Sequence, residues 1–508
     1  MPVTIHAGQV VGLDARPISV EVDISPGLHL FSIVGLADKE VQESRERISA
    51  AIKNLGALAP HKKSQRVIVN LAPADIRKEG PAFDLAIALG FLLASGQVAF
   101  DPTRTLFLGE LGLDGALRVI PGALAIAIAA KNAGFQRIIL PRGNGQEAAL
   151  VDGIDVYEVS TLADVCEHVS GRKEIAPTVR PTPTALPDTE HAMDFKDIRG
   201  QAAAKRALEI ASAGGHHVLM EGPPGAGKTI LASALPSILP PLSRDEALEV
   251  TKIYSVAGAL TQEHGASMMR RPFRNPHHTS SHVAIIGGGM HPRPGEATLA
   301  HRGVLFMDEF PEFDRRVIEA LRQPLESRTV TVARSAGTYT FPAHFMFIAS
   351  QNPCPCGNFG SPIRDCICAP GAITKYRKKI SGPIIDRIDL WVEMPPVEYE
   401  KLEGAEEETS ALVRNRVISA RALQEKRFRE DHIRTNAEMG IREIKKHIRL
   451  TDALKSFLKL AHTRYQLSAR SYHRLLKISR TIADLANSPD ITEIHIAEAL
   501  RYRPKNEQ

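Results

Sequence analysis

Short apolar runs rich in β-branched residues alternate with longer helical patterns through the first third of the chain. Arg66-Val67-Ile68-Val69-Asn70-Leu71 predicts a strand, and Leu106-Phe107-Leu108 and Arg137-Ile138-Ile139-Leu140 predict two more. The spans Asp84 to Leu93 and Ala123 to Ala133 predict helices, the second stopped by Gly134. Gly171 to Asp194 breaks the pattern with four prolines (Pro177, Pro181, Pro183, Pro187) and several threonines, a composition that suits a linker. Strand and helix signals resume at Phe195 and run to about Pro395. From Val397 onward the pattern is mostly helical, and charged stretches such as Arg442-Glu443-Ile444-Lys445-Lys446-His447 read as solvated helix surface. The expected organisation is an α/β domain over 1–170, a linker over 171–194, a second α/β domain over 195–395 and a helical domain over 396–508. The chain shows no internal repeat.

Length and composition fit that division. A chain of 508 residues has room for about three domains, and 43% hydrophobic residues let each bury a sizeable core. Lys and Arg number 63 against 58 Asp and Glu, a net charge of +5 that permits contact with nucleic acid without demanding it. Met1-Pro-Val-Thr-Ile-His-Ala-Gly has no charged segment followed by an apolar run, so no secretory signal is expected. The longest apolar segment, around Ala82 to Ala94, carries Asp84 and is too short to span a bilayer. A soluble, cytoplasmic protein with no membrane partner is the expectation.

The chemistry concentrates at Gly222-Pro223-Pro224-Gly225-Ala226-Gly227-Lys228-Thr229. An apolar strand candidate, His217-Val218-Leu219-Met220, precedes it, and Ile230 to Leu235 reads as the start of a helix. This strand–loop–helix setting is what a phosphate cradle needs. Glycines turn backbone N–H groups inward around phosphate oxygens, and the helix start adds its positive dipole end. Lys228 would reach the β- and γ-phosphates of ATP, and Thr229 would bind Mg²⁺. Val304-Leu305-Phe306-Met307-Asp308-Glu309 is a second apolar strand ending in two carboxylates: Asp308 for the Mg²⁺ shell, Glu309 to polarise an attacking water. Phe345 to Asn352 is a third, and Asn352 would either orient that water or sense the γ-phosphate. Hydrolysis is therefore expected rather than binding alone.

Four of the five cysteines fall in Cys354-Pro-Cys356 and Cys366-Ile-Cys368. Two close pairs joined by a short loop can surround one ion as thiolates, and Zn²⁺ in a structural site suits that set. A disulfide or redox pair is the alternative, disfavoured in a reducing compartment. Cys166 stands apart and reads as a small buried hydrophobe. Tyr376-Arg377-Lys378-Lys379 reads equally as a nucleic-acid contact or a solvated charge run.

The loop, the acidic strand end and Asn352 together resemble the AAA+ ATPases, and within them the magnesium-chelatase-like, ComM-type group. The resemblance covers nearly the whole chain. It implies that Asn352 is sensor 1, that Arg387 in Ser381-Gly-Pro-Ile-Ile-Asp386-Arg387-Ile-Asp389 is an arginine finger, and that Arg470 in Ser468-Ala-Arg470-Ser-Tyr-His is sensor 2. An arginine finger acts across a subunit boundary, so the resemblance implies a homo-hexameric ring. It also places hairpins facing a central pore between Lys228 and Asp308. Arg274-Asn-Pro-His277-His278-Thr-Ser-Ser-His282, Gly287-Gly-Gly289 and His291-Pro-Arg293 lie there. Such loops would grip a phosphate backbone through charge, or are ordinary solvated loops. Lys78-Glu-Gly-Pro-Ala82-Phe83-Asp84 and Gly115 to Gly122 resemble the Lon-protease fold. Ala82 stands in place of the serine nucleophile and Leu124 in place of the lysine base, so that mechanism is unavailable. The implied function is an ATP-driven helicase on single-stranded or branched DNA, promoting branch migration in recombination during natural transformation. Alternatives are a magnesium-chelatase-type ATPase and a protein remodeller.

Overall fold

The structure is a computed structural model that describes residues 2–181, 193–260, 267–289, 292–334, 337–361, 364–396 and 407–504. Contacts divide the chain into two units. The first joins Met1–Ala185 with Ser243–Met269, and the second joins Leu186–Leu242 with Arg270–Gln508. Much of the predicted linker, 182–192, lies outside the described residues, as do 397–406 between the expected second and third domains.

The first unit is built on a seven-stranded mixed sheet. Its strand order is Leu30–Val34, Gln65–Ala72, Asp14–Pro26, Val3–Val11, Thr105–Phe107, Arg137–Pro141, Asp155–Val159. The alternation in Gln65–Ala72 orients it as expected: Val67, Val69 and Leu71 are buried, with the intervening residues more exposed. The helix Asp84–Ala94 is buried from Asp84 through Leu92, so its sequence carries no amphipathic stripe. Gly90 lets it lie close to the sheet, since a Cβ there would meet Val22 Cγ2 at 2.6 Å. Asp84, fully buried, is satisfied by Arg47 at 2.7 Å and by the Leu111 N–H. The second predicted helix runs Ala123–Asn132, and Gly134 after it takes φ +85°. Ala82 sits in the short 3₁₀ turn Pro81–Phe83, and Leu124 is fully buried.

The helix Arg244–Ala257 falls within the span expected for the second domain, yet it belongs to the first unit. It packs against Ala123–Asn132: the Gly122 N–H donates to Ser255 O at 2.9 Å, and Lys252 pairs with Asp14 at 2.6 Å. The described start of the linker also joins this unit, with the Thr178 N–H donating to Val156 O at 2.7 Å and Arg180 paired with Asp152.

The second unit holds a five-stranded sheet in the order Phe273–Arg274, Val304–Met307, Met346–Gln351, Val218–Glu221, Leu390–Glu393, every neighbouring pair parallel. Helices Ser410–Arg427, Asp452–Tyr465, Ala469–Leu485 and Glu493–Arg501 share its core, where Val417, Ala420 and Ile482 join Val218, Phe306 and Ile348. The predicted Arg442–His447 surface is the helix Ile441–His447, anchored by buried Ile444. Among the described residues, a short hairpin, Gly287–Gly288 with Arg293–Pro294, lies between Lys228 and Asp308. His291, part of the predicted pore segment, lies outside the described residues. A longer hairpin, Thr329–Arg334 with Gly337–Pro342, was not expected from the sequence.

His217 enters this sheet just ahead of Val218. Its Nδ1 accepts the Phe347 N–H at 3.0 Å, so it must be unprotonated there. Desolvation lowers its pKa to about 4, with the Asp389 charge opposing and Arg328 reinforcing. A folded-state value below the ordinary one means that the unfolded chain binds the proton more tightly. Stability from this group is complete above about pH 6.5 and declines as pH falls toward 4, by up to about 3 kcal/mol. The urea midpoint is expected to drop between pH 7 and pH 5. The drop should shrink in His217→Gln, whose amide oxygen can still accept the Phe347 N–H; an equal drop in both proteins would contradict the assignment.

Candidate nucleotide site and four-cysteine centre

The carboxyl ends of Val218–Glu221, Val304–Met307 and Met346–Gln351 lie side by side, where open parallel sheets bind ligands. The loop Gly222–Gly227 leaves the first of these and runs into the helix Lys228–Ala234. Gly225 and Gly227 take φ of +80° and +87°, a region that favours glycine. Gly222 is required for space: a Cβ would sit 2.3 Å from Met394 O. Pro224 and Gly225 are exposed at the crown, while Gly222 and Ala226 are buried beneath it.

Lys228 Nζ folds back over the loop and donates to Gly222 O (2.6 Å), Pro223 O (2.9 Å) and Asn352 Oδ1 (3.0 Å). Burial lowers its pKa, partly opposed by Asp308, Glu309 and Glu221. Thr229 Oγ1 donates to Asp308 Oδ2 at 2.6 Å, and Ser350 Oγ donates to Asp308 Oδ1. Glu309 has a left-handed backbone, φ +50°, and its N–H donates to Ser350 Oγ at 3.0 Å. Its carboxylate is half exposed, with His278 Nδ1 3.8 Å from Oε2. Lys228, Thr229, Asp308, Glu309 and Asn352 therefore form one site. The Thr229 hydroxyl and Asp308 carboxylate are hard oxygen donors side by side, a pair that fits Mg²⁺.

Two participants escaped the sequence reading. Ser350 ties Asp308 to the Glu309 backbone. Its position in a strand that ends in polar residues was the available signal. Gln201 Nε2 donates to Ala226 O at 3.1 Å and Pro395 O at 2.7 Å, steadying the loop from a distant segment. No local pattern marks it.

Arg387 and Arg470 are not part of this cluster. Both line a separate polar cavity of about 380 Å³, together with Glu326, Arg328, His473 and Lys477. Arg387 is buried, paired with Glu326 and Pro383 O, and its Nε has no hydrogen-bond partner among the described residues. Tyr376 is also buried, so it presents no ring for stacking on a base, and Lys379 pairs with Glu312 at 3.0 Å.

The sulfurs of Cys354, Cys356, Cys366 and Cys368 all lie within 4.8 Å of one another. Resolved separations are 3.4, 3.7 and 3.6 Å. A disulfide would need about 2.05 Å, whereas thiolates about 2.3 Å from a central zinc in a tetrahedron stand about 3.8 Å apart. The four residues fit a closed tetrahedral ion. Cys166 is buried, and burial pushes its thiol up to about 11, as expected of an inert core residue.

Strand order and loop chemistry agree on a class: a P-loop ATPase of the AAA+ type. Comparison with known proteins narrows it. The family model for magnesium chelatase, subunit ChlI, matches residues 194–402, that for subunit ChlI of Mg-chelatase matches 20–144, and the ChlI C-terminal model matches 407–503. The uncharacterized protein YifB of Salmonella typhimurium is 41% identical over 503 residues, 98% of this chain and 96% of the relative. Competence protein ComM of Haemophilus influenzae is 40% identical over 505 residues, 98% and 97% of the two chains. Lon protease 2 of Bacillus subtilis is 27% identical over 168 residues, 30% of this chain and 29% of that one. The chain belongs to the ComM/YifB-like family of magnesium-chelatase-type AAA+ ATPases. Among the described residues, no helix is long and apolar enough to cross a membrane.

Proposed function

We propose that the chain is a cytoplasmic, ATP-driven DNA helicase that works as a homo-hexamer and extends branch migration during recombination in natural transformation. The observation that carries this reading is 40% identity over nearly the full length to a protein named for competence, joined to a cluster of Lys228, Thr229, Asp308 and Asn352 beside the phosphate loop. The phosphate loop 222–229 would hold ATP, with Lys228 exchanging its carbonyl acceptors for phosphate oxygens. Thr229 and Asp308 would hold Mg²⁺, which neutralises phosphate charge when bound. Glu309, carried on the exposed side of the site, would take the proton of the attacking water, and Asn352 would order the γ-phosphate side. Arg387 would be the arginine finger that serves a neighbouring protomer's nucleotide, a reading supported by its lining a cavity with no phosphate-loop residue, and Arg470 in the same cavity would be sensor 2. Cys354, Cys356, Cys366 and Cys368 would hold a structural Zn²⁺. The Lon-like first unit would serve as a non-proteolytic scaffold.

The second reading, a magnesium-chelatase-type ATPase acting through partner subunits, draws on the names of the matching family models. Phosphate release measured with and without four-way-junction DNA separates the two. The motor reading expects hydrolysis to rise with DNA and the junction to be resolved into its arms. No binding and no unwinding with ATP present would end it.

A further inference from the structure

The cysteine loop is fastened to the phosphate loop. Gly357, between the two cysteine pairs, sits directly on Pro224: a Cβ at Gly357 would lie 2.4 Å from Pro224 Cδ and 2.7 Å from its Cγ. Cys354 follows Asn352 by two residues, and Asn352 accepts from Lys228. Arg377 reaches back from the far side, donating to Pro353 O at 3.3 Å and lying 5.0 Å from the Phe359 ring centre. It also stands 3.8 Å from Glu221, the last residue of the strand that feeds the phosphate loop. The cysteine segment has no helix or strand among its described residues 354–361 and 364–368. Cys354 is its one buried cysteine, and Phe359 and Ile367 are exposed, so little apolar burial holds it in place. Four thiolates on one ion would supply the missing cross-link.

We propose that the metal-filled four-cysteine centre is a positioning element of the ATP site, pressing Gly357 against Pro224 so that nucleotide affinity depends on the integrity of the centre. This rests on the reading that the sulfurs hold zinc and that the loop binds ATP. Loss of the metal frees the cysteine loop, the crown of the phosphate loop loses its backing, and affinity falls while the chemical groups stay present.

Two glycines make a matched test. Gly357 and Gly360 both have positive φ, +80° and +74°, so alanine is strained at either. At Gly360 a Cβ meets nothing within 4 Å, so the Gly357 variant alone disturbs Pro224. In the full-length chain, zinc is measured by elemental analysis and affinity by titration with a fluorescent ATP analogue in Mg²⁺. Gly357→Ala is expected to keep its zinc and bind the analogue about tenfold more weakly. Its KM for ATP should rise while kcat at saturation is largely kept. Gly360→Ala should match wild type. Wild type stripped by a zinc-selective chelator that spares Mg²⁺ should behave as Gly357→Ala does, and zinc should restore it. Equal affinities for the two glycine variants, or undiminished affinity after stripping, overturn the proposal. Fresh protein without zinc overturns the metal reading on which it stands, and wild type that binds no nucleotide overturns the ATPase reading instead.

Discussion

Alanine in place of Lys228 is expected to cut ATP turnover by about 1,000-fold while leaving the protein folded, with only a small loss of stability. The ammonium is the one cation bonded to both the phosphate loop and Asn352 among the described residues, so its removal takes away the charge that the proposed reading sets against the phosphates. The loss of stability should be small, because burial depresses the Lys228 pKa and the folded state therefore disfavours the charged form. The carbonyl of Pro223 sits on a half-exposed loop, where water can replace the lost donor, whereas the buried carbonyl of Gly222 loses its donor at a cost of about 1–3 kcal/mol. Steady-state phosphate release and thermal melting without nucleotide check both halves. Ordinary hydrolysis by the variant would remove Lys228 from the mechanism, and a collapsed melting temperature would make it a structural residue.

Alanine at Arg387 should lower turnover by about 1,000-fold or more, and the defect should be repaired by mixing. Arg387 lines a cavity that no phosphate-loop residue reaches, so the reading assigns it to a neighbour's nucleotide. In equimolar mixtures of Arg387→Ala and Lys228→Ala, some interfaces join an intact lysine to an intact arginine, and hydrolysis should return. If Arg387 served its own protomer, neither variant would carry a complete site and mixing would recover nothing. Loss of folding is not expected to confuse the result. The carboxylate of Glu326, left behind by the substitution, is 60% exposed and remains hydrated.

The phosphate loop was legible because its chemistry is local. Eight consecutive residues supply the turn, the lysine and the hydroxyl, and the structure bends them with φ of +80° and +87° at Gly225 and Gly227. The four cysteines were legible for the same reason, since two pairs on one short loop can hardly avoid one another. Ser350 shows where that reasoning stops. It is one of the polar residues that end an apolar strand until the register, Met307 opposite Ala349, sets it beside Asp308. Tyr376 shows the opposite failure: an aromatic beside three cations suggested an open surface, and packing buried it. The helix Arg244–Ala257 carries an ordinary amphipathic pattern that says it packs without saying on what; it packs on the first unit.

What the residues decided by themselves was every feature whose atoms are neighbours along the chain: the triphosphate cradle, the acidic strand end, the two cysteine pairs and the alternation of strand and helix. Backbone sterics and ligand geometry act over a few bonds, so a linear reading suffices for them. Tertiary structure alone decided which distant groups meet. The parallel sheet order set Asn352 on Lys228, Ser350 on Asp308 and Gly357 on Pro224, and the packing of the helix Ala469–Leu485 brought Arg470 to the cavity that Arg387 lines. Those meetings depend on how strands and helices are arranged in space, and no periodicity in the chain encodes that arrangement.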